Sequence, residues 1–248
     1  MLLEICTASV DDCIAAQEGG AHRVELNAAL ALGGLTPSLG TLIEARAALA
    51  IPIIVMIRPR PGGFAYSPHD FAAMQRDVDL ALEHGADGIA FGILTEDGGL
   101  DVPRCRQLIA QAGGRETVFH RAFDVTPDPA DTLERLMDLG VTRVLTSGQE
   151  ASAYNGSDAI ARYVQQAAGR IEILPGGGIN RFTLADVLAR TGCTQVHASL
   201  TTTRADASTQ ARPHITFGGS FRAPEDRFST TDADAVADLR QRLDGHGA

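Results

Sequence analysis

The feature that most constrains the fold is a regular alternation of short apolar runs with longer amphipathic segments. Eight runs are typical of buried strands, and they fall at residues 2–6, 22–27, 52–58, 87–92, 117–121, 143–147, 170–176 and 194–199. The segments between them carry apolar residues at helical spacing, as in residues 71–85 and 129–140. Eight β-α units in succession predict an α/β fold, a (β/α)8 TIM barrel that forms a single domain over residues 1–248.

The chief structural alternative is a doubly wound open sheet. That fold normally has fewer strands and a GxGxxG loop after the first one, whereas the first run here reads LLEICTAS. The alternation breaks once, over residues 200–229, which are polar and punctuated by Gly and Pro. We predict an irregular excursion there, followed by a closing helix over residues 230–243. Long excursions of this kind are usually functional or form an interface.

Charge and composition exclude several classes of partner. The chain has 31 acidic and 21 basic residues, a formal net charge of −10. Nucleic acids and anionic membranes bind clustered Lys and Arg, so neither is expected as a main partner. No apolar run reaches the length of a membrane span, and MLLEICTASVDD turns acidic too early for a secretory signal. We therefore expect a cytoplasmic protein whose four cysteines, none of them in a CxxC pair, remain thiols.

Strand side chains alternate between the barrel interior and the helix layer, which predicts the inward residues. The alternation in five strands turns inward Glu4, Cys6, Glu25, Asn27, Met56, Arg58, Val118, His120, His197 and Ser199. Most of these lie at the carboxyl ends of the strands, where TIM barrels place their chemistry. A satisfied polar network filling the barrel mouth is the alternative. Because burying carboxylates, Arg and imidazoles is costly, a ligand explains the pattern better.

The same residues suggest catalytic roles. Glu25 or Glu4 would be a general base, His120 or His197 a general acid, and Arg58 a substrate clamp. Asp124, at the end of VFHRAFD, joins this group as a residue that caps the loop or orients a neighbour. Alternatively, two carboxylates and two imidazoles could hold a hard divalent metal.

Three loops suggest an anion site. The run Gly176, Gly177 and Gly178, with Asn180 after it, follows the seventh strand, where barrels of this class usually bind phosphate. Thr146, Ser147 and Gly148 follow the sixth strand, and Arg60 lies in a loop after the third. Ser199, at the end of the eighth strand, joins them. These residues predict a small phosphorylated or carboxylated ligand, although a glycine run also serves an ordinary tight turn.

Several stretches together resemble the CutC family of copper homeostasis proteins. They are GGAHRVELN, VMIRPR with FAYS, FGILTEDGGLD, VFHRAFD, VLTSG, LPGGGIN and VHAS, in order from residue 4 to about residue 204. The resemblance implies a single TIM barrel in the cytoplasm, a homo-oligomer that we expect to be a dimer, and a copper-handling role.

The resemblance also implies a candidate ligand for Cu(I), which prefers soft sulfur donors. Cys6 matches one thiolate position of the family, whereas Asn27 stands where animal relatives carry a second Cys. Met56 is either a soft partner or a core residue. The first functional hypothesis is a copper-homeostasis protein. The second is a TIM-barrel enzyme that acts on a small anion and is similar to isomerases, epimerases or lyases. A third is a scaffold whose residues 200–229 bind a partner.

Overall fold

Eight parallel strands form one barrel in the computed structural model, which describes residues 1–217 and 224–246. The barrel strands are β1 (Leu2–Thr7), β2 (Arg23–Leu26), β3 (Ile53–Met56), β4 (Gly88–Phe91), β5 (Glu116–Phe119), β6 (Arg143–Thr146), β7 (Glu172–Pro175) and β8 (Gln195–Ala198). Neighbours pair in the order β7-β6-β5-β4-β3-β2-β1-β8, and a parallel bridge between Gly176 and His197 joins the two ends. The predicted TIM barrel is confirmed.

Eight α-helices of the described residues surround the barrel. They are α1 (Val10–Glu18), α2 (Leu39–Ala48), α3 (Pro68–Glu83), α4 (Val102–Gln111), α5 (Pro129–Asp138), α6 (Ser157–Ala167), α7 (Leu184–Thr191) and α8 (Ala233–His246). Local sequence sets their starts: Ser67 and Asp70 form a capping box ahead of α3, and Pro68 occupies its first turn. None of the helices among the described residues is long and apolar enough to cross a membrane.

The core has two parts, and they confirm the predicted alternation. Leu3, Ile5, Val24 and Leu26 face outward into the large apolar layer between strands and helices. A smaller apolar cluster fills the inside of the barrel and consists of Ile54, Met56, Ala90, Val118, Leu145 and Leu174. Glu4, Glu25 and Asn27 are buried on this inner side. The barrel interior is therefore apolar in the middle and polar near β1, β2 and β8.

Residues 200–229 differ from the irregular excursion that we predicted. Their two ends form an antiparallel ribbon of β9 (Thr201–Ala205) and β10 (Arg227–Thr231). Asp12 in α1 holds the ribbon, because its Oδ1 accepts hydrogen bonds from the Thr231 amide at 2.6 Å and the Thr230 hydroxyl at 2.9 Å. Polar Thr and Ser residues dominate these strands, so apolar periodicity does not indicate them. Residues 218–223 of the predicted excursion lie outside the described residues.

Candidate functional site

A cavity of about 270 Å3 opens at the carboxyl ends of the strands. Its lining comprises Cys6, Glu25, Asn27, Leu30, Gly33, Gly34, Met56, Arg58, Phe64, His120, Arg121, Leu145, His197 and Ser199. Barrel strands and the loops that follow them contribute these side chains. The structure thus brings the predicted Cys6, Glu25, Arg58, His120, His197 and Ser199 together, and Glu4 lies just below them through its contact with His197.

Another cavity, of about 300 Å3, lies at the opposite end of the barrel beside Leu2, Glu172 and Gln195. TIM-barrel enzymes keep their chemistry at the carboxyl ends of the strands. The predicted titratable residues also gather at that end, so we take the mouth cavity as the candidate site.

Three potential metal ligands converge in the mouth cavity. Cys6 Sγ, a carboxylate oxygen of Glu25 and a ring nitrogen of His197 all lie within 4.8 Å of one another. Strand register explains the convergence, because Cys6 pairs with Glu25 across β1 and β2, while β8 lies on the other side of β1. Asn27 Nδ2 donates to Glu25 Oε2 at 3.0 Å and lies 3.5 Å from Cys6 Sγ. This group is the metal-ligand cluster of the described residues.

The buried carboxylate of Glu4 holds the ring of His197 in place. Its Nδ1 lies 2.7 Å from Glu4 Oε1, and the other oxygen of Glu4 accepts a hydrogen bond from Arg23 Nε. All three residues are buried. Because Glu4 engages Nδ1, Nε2 is the nitrogen left for an ion, which is the arrangement usual for metal-binding histidines.

The charge states of Glu4 and His197 depend on each other. Burial alone would raise the pKa of Glu4, but the hydrogen bond from His197 and the charge of Arg23 outweigh it and lower the pKa to about 2. Burial lowers the pKa of His197, but Glu25, the hydrogen bonds to Cys6 and Glu4, and the charge of Glu4 raise it well above its ordinary value. Without a metal, therefore, an imidazolium faces two carboxyl groups.

Burial is also the largest cause of the pKa shifts of the two remaining ligand candidates, Cys6 and Glu25. It raises the pKa of the Cys6 thiol, and the hydrogen bond with His197 offsets only part of that effect. Burial raises the pKa of Glu25 in the same way. A metal ion that binds here must therefore displace protons, so its affinity increases with pH.

Arg58 forms one wall of the cavity and is itself buried. Its Nη1 donates to the carbonyl oxygens of residues 32–34 at 3.0 to 3.3 Å, and its Nη2 donates to the Gly62 carbonyl at 2.7 Å. The guanidinium carbon lies 5.1 Å from the centroid of the Phe64 ring. Arg58 therefore fixes two loops, and its Nε has no hydrogen-bond partner among the described residues.

His120 lies on the same wall. Its ring centroid is 5.1 Å from that of Phe64, and its Nδ1 accepts a hydrogen bond from the Ala122 amide at 3.1 Å. Burial, together with the charge of Arg58, lowers the pKa of His120 to about 3. The imidazole is therefore neutral near pH 7 and carries its proton on Nε2, which has no partner among the described residues.

Unpartnered polar atoms concentrate around this cavity. Within the described part of the chain, six buried side-chain polar atoms have no partner, and four of them belong to cavity residues. The four are Glu25 Oε1, Asn27 Oδ1, Arg58 Nε and His120 Nε2. Buried polar groups are normally hydrogen-bonded, so this concentration points to a bound ligand.

Asp124 lies beside the cavity and serves the neighbouring loop. Its carboxylate accepts hydrogen bonds from the Ser147 amide at 3.0 Å, the Ser147 hydroxyl at 2.9 Å and the Thr146 hydroxyl. Arg121 Nε donates to it at 2.8 Å, and the Gly148 amide donates to Thr146 Oγ1 at 2.9 Å. Thr146, Ser147 and Gly148 thus satisfy one another and Asp124, and they do not line the cavity.

The predicted anion loops occupy mixed positions. Gly176–Gly178 follow β7 directly, but α7 begins only at Leu184, so the glycines do not form its first turn. Asn180 stabilises this loop by donating from Nδ2 to the Gly178 carbonyl at 3.1 Å. Arg60 pairs with Asp70 at 3.0 Å, outside the cavity lining. Anion binding by these loops stays a prediction.

Sequence reasoning missed three contributors to the site. Arg23 could have been found, because the alternation that turns Glu25 and Asn27 inward applies to residue 23 as well. Phe64 lies in a loop, where strand alternation gives no direction. Arg121 falls in the predicted run 117–121, whose alternation turns it outward, but it begins a 3-10 helix that follows β5. Only the fold shows that both reach the cavity.

The fold and the site together define a class: a TIM-barrel protein with a thiol, an imidazole and a carboxyl group converging at its mouth. The CutC family model matches residues 1–202, most of the barrel and all of the site. The chain belongs to the CutC family.

Relatives and a solved structure agree with this assignment. A family protein CutC from Treponema denticola is 46% identical over 241 residues, which cover 97% of this chain and 98% of the relative. The human protein named copper homeostasis protein cutC homolog is 42% identical and is covered over 87% of its length, against 96% of this chain. The crystal structure of CutC from Streptococcus agalactiae matches with a TM-score of 0.76 at 35% identity, over 79% of this chain and 97% of that one.

Proposed function

We propose that this protein serves copper homeostasis by holding one Cu(I) ion between Cys6 and His197, with Glu25 beside them. The observation that carries the proposal is the convergence of these three side chains within 4.8 Å in a buried cavity. The names of the human relative and of other family members, which refer to copper homeostasis, support the choice of metal.

The donor set fits copper. A thiolate selects soft Cu(I), and imidazole is a good ligand for copper as well. Met56 lines the same cavity and carries a thioether. Glu25 is a harder donor, and we expect it to balance charge more than to bind the ion.

A Cu(I) titration under anaerobic conditions against a competing chromophoric chelator tests the proposal. We expect the wild type to bind a single equivalent per chain, and Cys6→Ser and His197→Gln to weaken that affinity at least about tenfold, as loss of a ligand or its support does. Cys193→Ala is the matched control, because Cys193 is buried just after α7 and does not line the cavity.

Weak binding that does not change in Cys6→Ser would contradict the proposal. Loss of binding in Cys193→Ala would also contradict it, because that thiol is remote from the proposed ligands.

The proposal extends to location and assembly. A Cu(I)–thiolate site needs a reducing compartment, which supports the cytoplasm. A homodimer is part of the proposal because the resemblance to the family implies one. Fractionation of the source cells tests the location, and light scattering after size-exclusion chromatography tests the dimer.

A further inference from the structure

Among the described residues, one of the buried arginines lacks a counter-charge. This part of the chain buries Arg23, Arg58 and Arg143. Arg23 pairs with Glu4, and Arg143 pairs with Glu116 and Glu172. Arg58, which is 6% exposed, forms no ion pair in residues 1–217 and 224–246, and its Nη atoms bond only to neutral carbonyl groups. A buried charge without a partner is costly, so the Arg58 site favours an anion that the described residues do not supply.

A second free donor lies next to this charge. Within the described residues, His120 Nε2 is buried and unpartnered, like Arg58 Nε, and both side chains contact the Phe64 ring with their centres 5.1 Å from its centroid. The charge of Arg58 also helps to lower the pKa of His120, so the two side chains lie near each other at the Phe64 wall of the cavity. Two neighbouring donors, one of them charged, match the two oxygens of a carboxylate.

Each other described cation at the cavity has an acidic partner, and this pairing bears on the charge of the ligand. Glu4 is paired with both Arg23 and His197, and Arg121 is paired with Asp124. Glu25 lies beside His197 in the metal-ligand cluster. Of the described groups at the cavity, only the single positive charge of Arg58 is left, and it favours a monoanion over a phosphate dianion.

The shape and the apolar walls of the cavity restrict the rest of the ligand. Leu30, Met56, Phe64 and Leu145 supply apolar surface, and the volume is about 270 Å3. Pockets of this kind combine apolar walls with a few polar groups that fix orientation. A short aliphatic body with few polar atoms fits this lining.

We infer that the cavity binds a small aliphatic monocarboxylate, whose oxygens accept hydrogen bonds from Arg58 Nε and His120 Nε2 while its carbon chain lies against Met56 and Leu145. This site is additional to the copper site and does not require a metal. It provides the binding step that an enzymatic activity of this barrel would need.

Thermal unfolding of the chelator-treated, metal-free protein tests the inference. Lactate, pyruvate and 3-hydroxybutyrate are the probes, lactamide is the neutral comparator, and inorganic phosphate is the dianionic comparator. At a concentration about tenfold above Kd, we expect a carboxylate to raise Tm by roughly 3 to 6 °C. Lactamide has no negative charge, so we expect it to leave Tm unchanged, and we expect phosphate to raise it less than the carboxylates do.

The variant that carries the assignment is His120→Phe, which keeps an aromatic ring against Phe64 and removes the Nε2 donor. We expect it to lose the response to carboxylates, whereas His69→Phe, on the exposed face of α3, keeps it. Arg58 is unsuitable for replacement because it also holds residues 32–34.

Three results would overturn the inference: no probe shifts Tm in the wild type, phosphate or lactamide shifts it as much as the carboxylates do, or His120→Phe responds like the wild type. The wild-type series decides by itself if His120→Phe does not fold. Because the protein is metal-free, failure of the copper proposal cannot produce any of these results.

Discussion

Glu4 and His197 are direct partners across the seam of the barrel, where the first strand meets the last, and Glu4 Oε1 lies 2.7 Å from His197 Nδ1. The same carboxylate pairs with Arg23. Glu4 therefore both orients a metal-ligand candidate and neutralises a buried guanidinium.

Replacement of Glu4 by Gln removes the negative charge and leaves Arg23, which is 3% exposed, buried without a carboxylate partner. Breaking a buried pair in this way costs roughly 3 to 5 kcal/mol. We expect urea unfolding at pH 7 to show that the free energy of unfolding of Glu4→Gln is lower than that of the wild type by this amount. The control Asp238→Asn removes an exposed partner of Arg242 in α8, and we expect it to leave the midpoint unchanged. Equal midpoints for wild type and Glu4→Gln would show that Arg23 is compensated in another way.

Asn27→Cys tests whether the amide of Asn27 occupies the position of a second copper ligand. Asn27 Nδ2 lies 3.5 Å from Cys6 Sγ, so a thiol at residue 27 falls close to Cys6. Two thiolates bind Cu(I) better than one, and we expect affinity in the chelator competition to rise by about tenfold or more. Asn27→Ser, which is similar in size to the cysteine variant but has no sulfur, is the control. If the Asn27→Cys variant, kept reduced, has wild-type affinity, this position is excluded from the metal site.

The pKa of His120 predicts a dependence of stability on pH. In the folded protein this pKa is about 3, below the ordinary value of 6.5, so the unfolded chain takes up the proton first. The contribution of His120 therefore falls as pH decreases from about 6.5 toward about 3, by roughly 2 kcal/mol between pH 7 and pH 5. We therefore expect urea unfolding at pH 7 and pH 5 to show that His120→Phe loses roughly 2 kcal/mol less unfolding free energy between these two pH values than the wild type does. Parallel pH profiles would indicate that His120 is not buried in the neutral form.

Asp124→Asn tests the role of Asp124 in the loop after β6. The change removes the charged acceptor shared by Thr146, Ser147 and Arg121. We expect a stability loss of roughly 2 kcal/mol, since buried donors lose their partner. Hydrogen exchange at the amides of residues 147–149 should become faster. Asp131→Asn, in an exposed pair with Arg135, is the control. If hydrogen exchange is unchanged in Asp124→Asn, the other hydrogen bonds of the loop are sufficient to hold it, and the prediction is wrong.

The fold and part of the site were predictable because they depend on periodic patterns. Strand alternation places Glu25 and Asn27 inside whatever the loops do, and the observed β2 lies within the predicted run with each end one residue shorter. The same rule turns Arg58 and His120 toward the mouth, although both residues lie just beyond the ends of their strands.

The loops were not predictable, because their conformation depends on contacts distant in sequence. Asp124 acts through Thr146 and Ser147, which only the pairing of neighbouring β-α units brings near it. The β9–β10 ribbon has exposed polar residues on β9 and depends on Asp12, which lies far before Thr231 along the chain. Composition could not reveal that contact.

The seam between β1 and β8 also sets an order of events during protein synthesis. Cys6 and Glu25 leave the ribosome early, whereas His197 emerges only after seven strands have been made. Chains fold during translation as their segments become available, and the pairing of the first strand with the eighth must come late. A nascent chain therefore exposes its thiol without the imidazole. The cluster of Cys6, Glu25 and His197 is therefore complete only when the finished barrel closes.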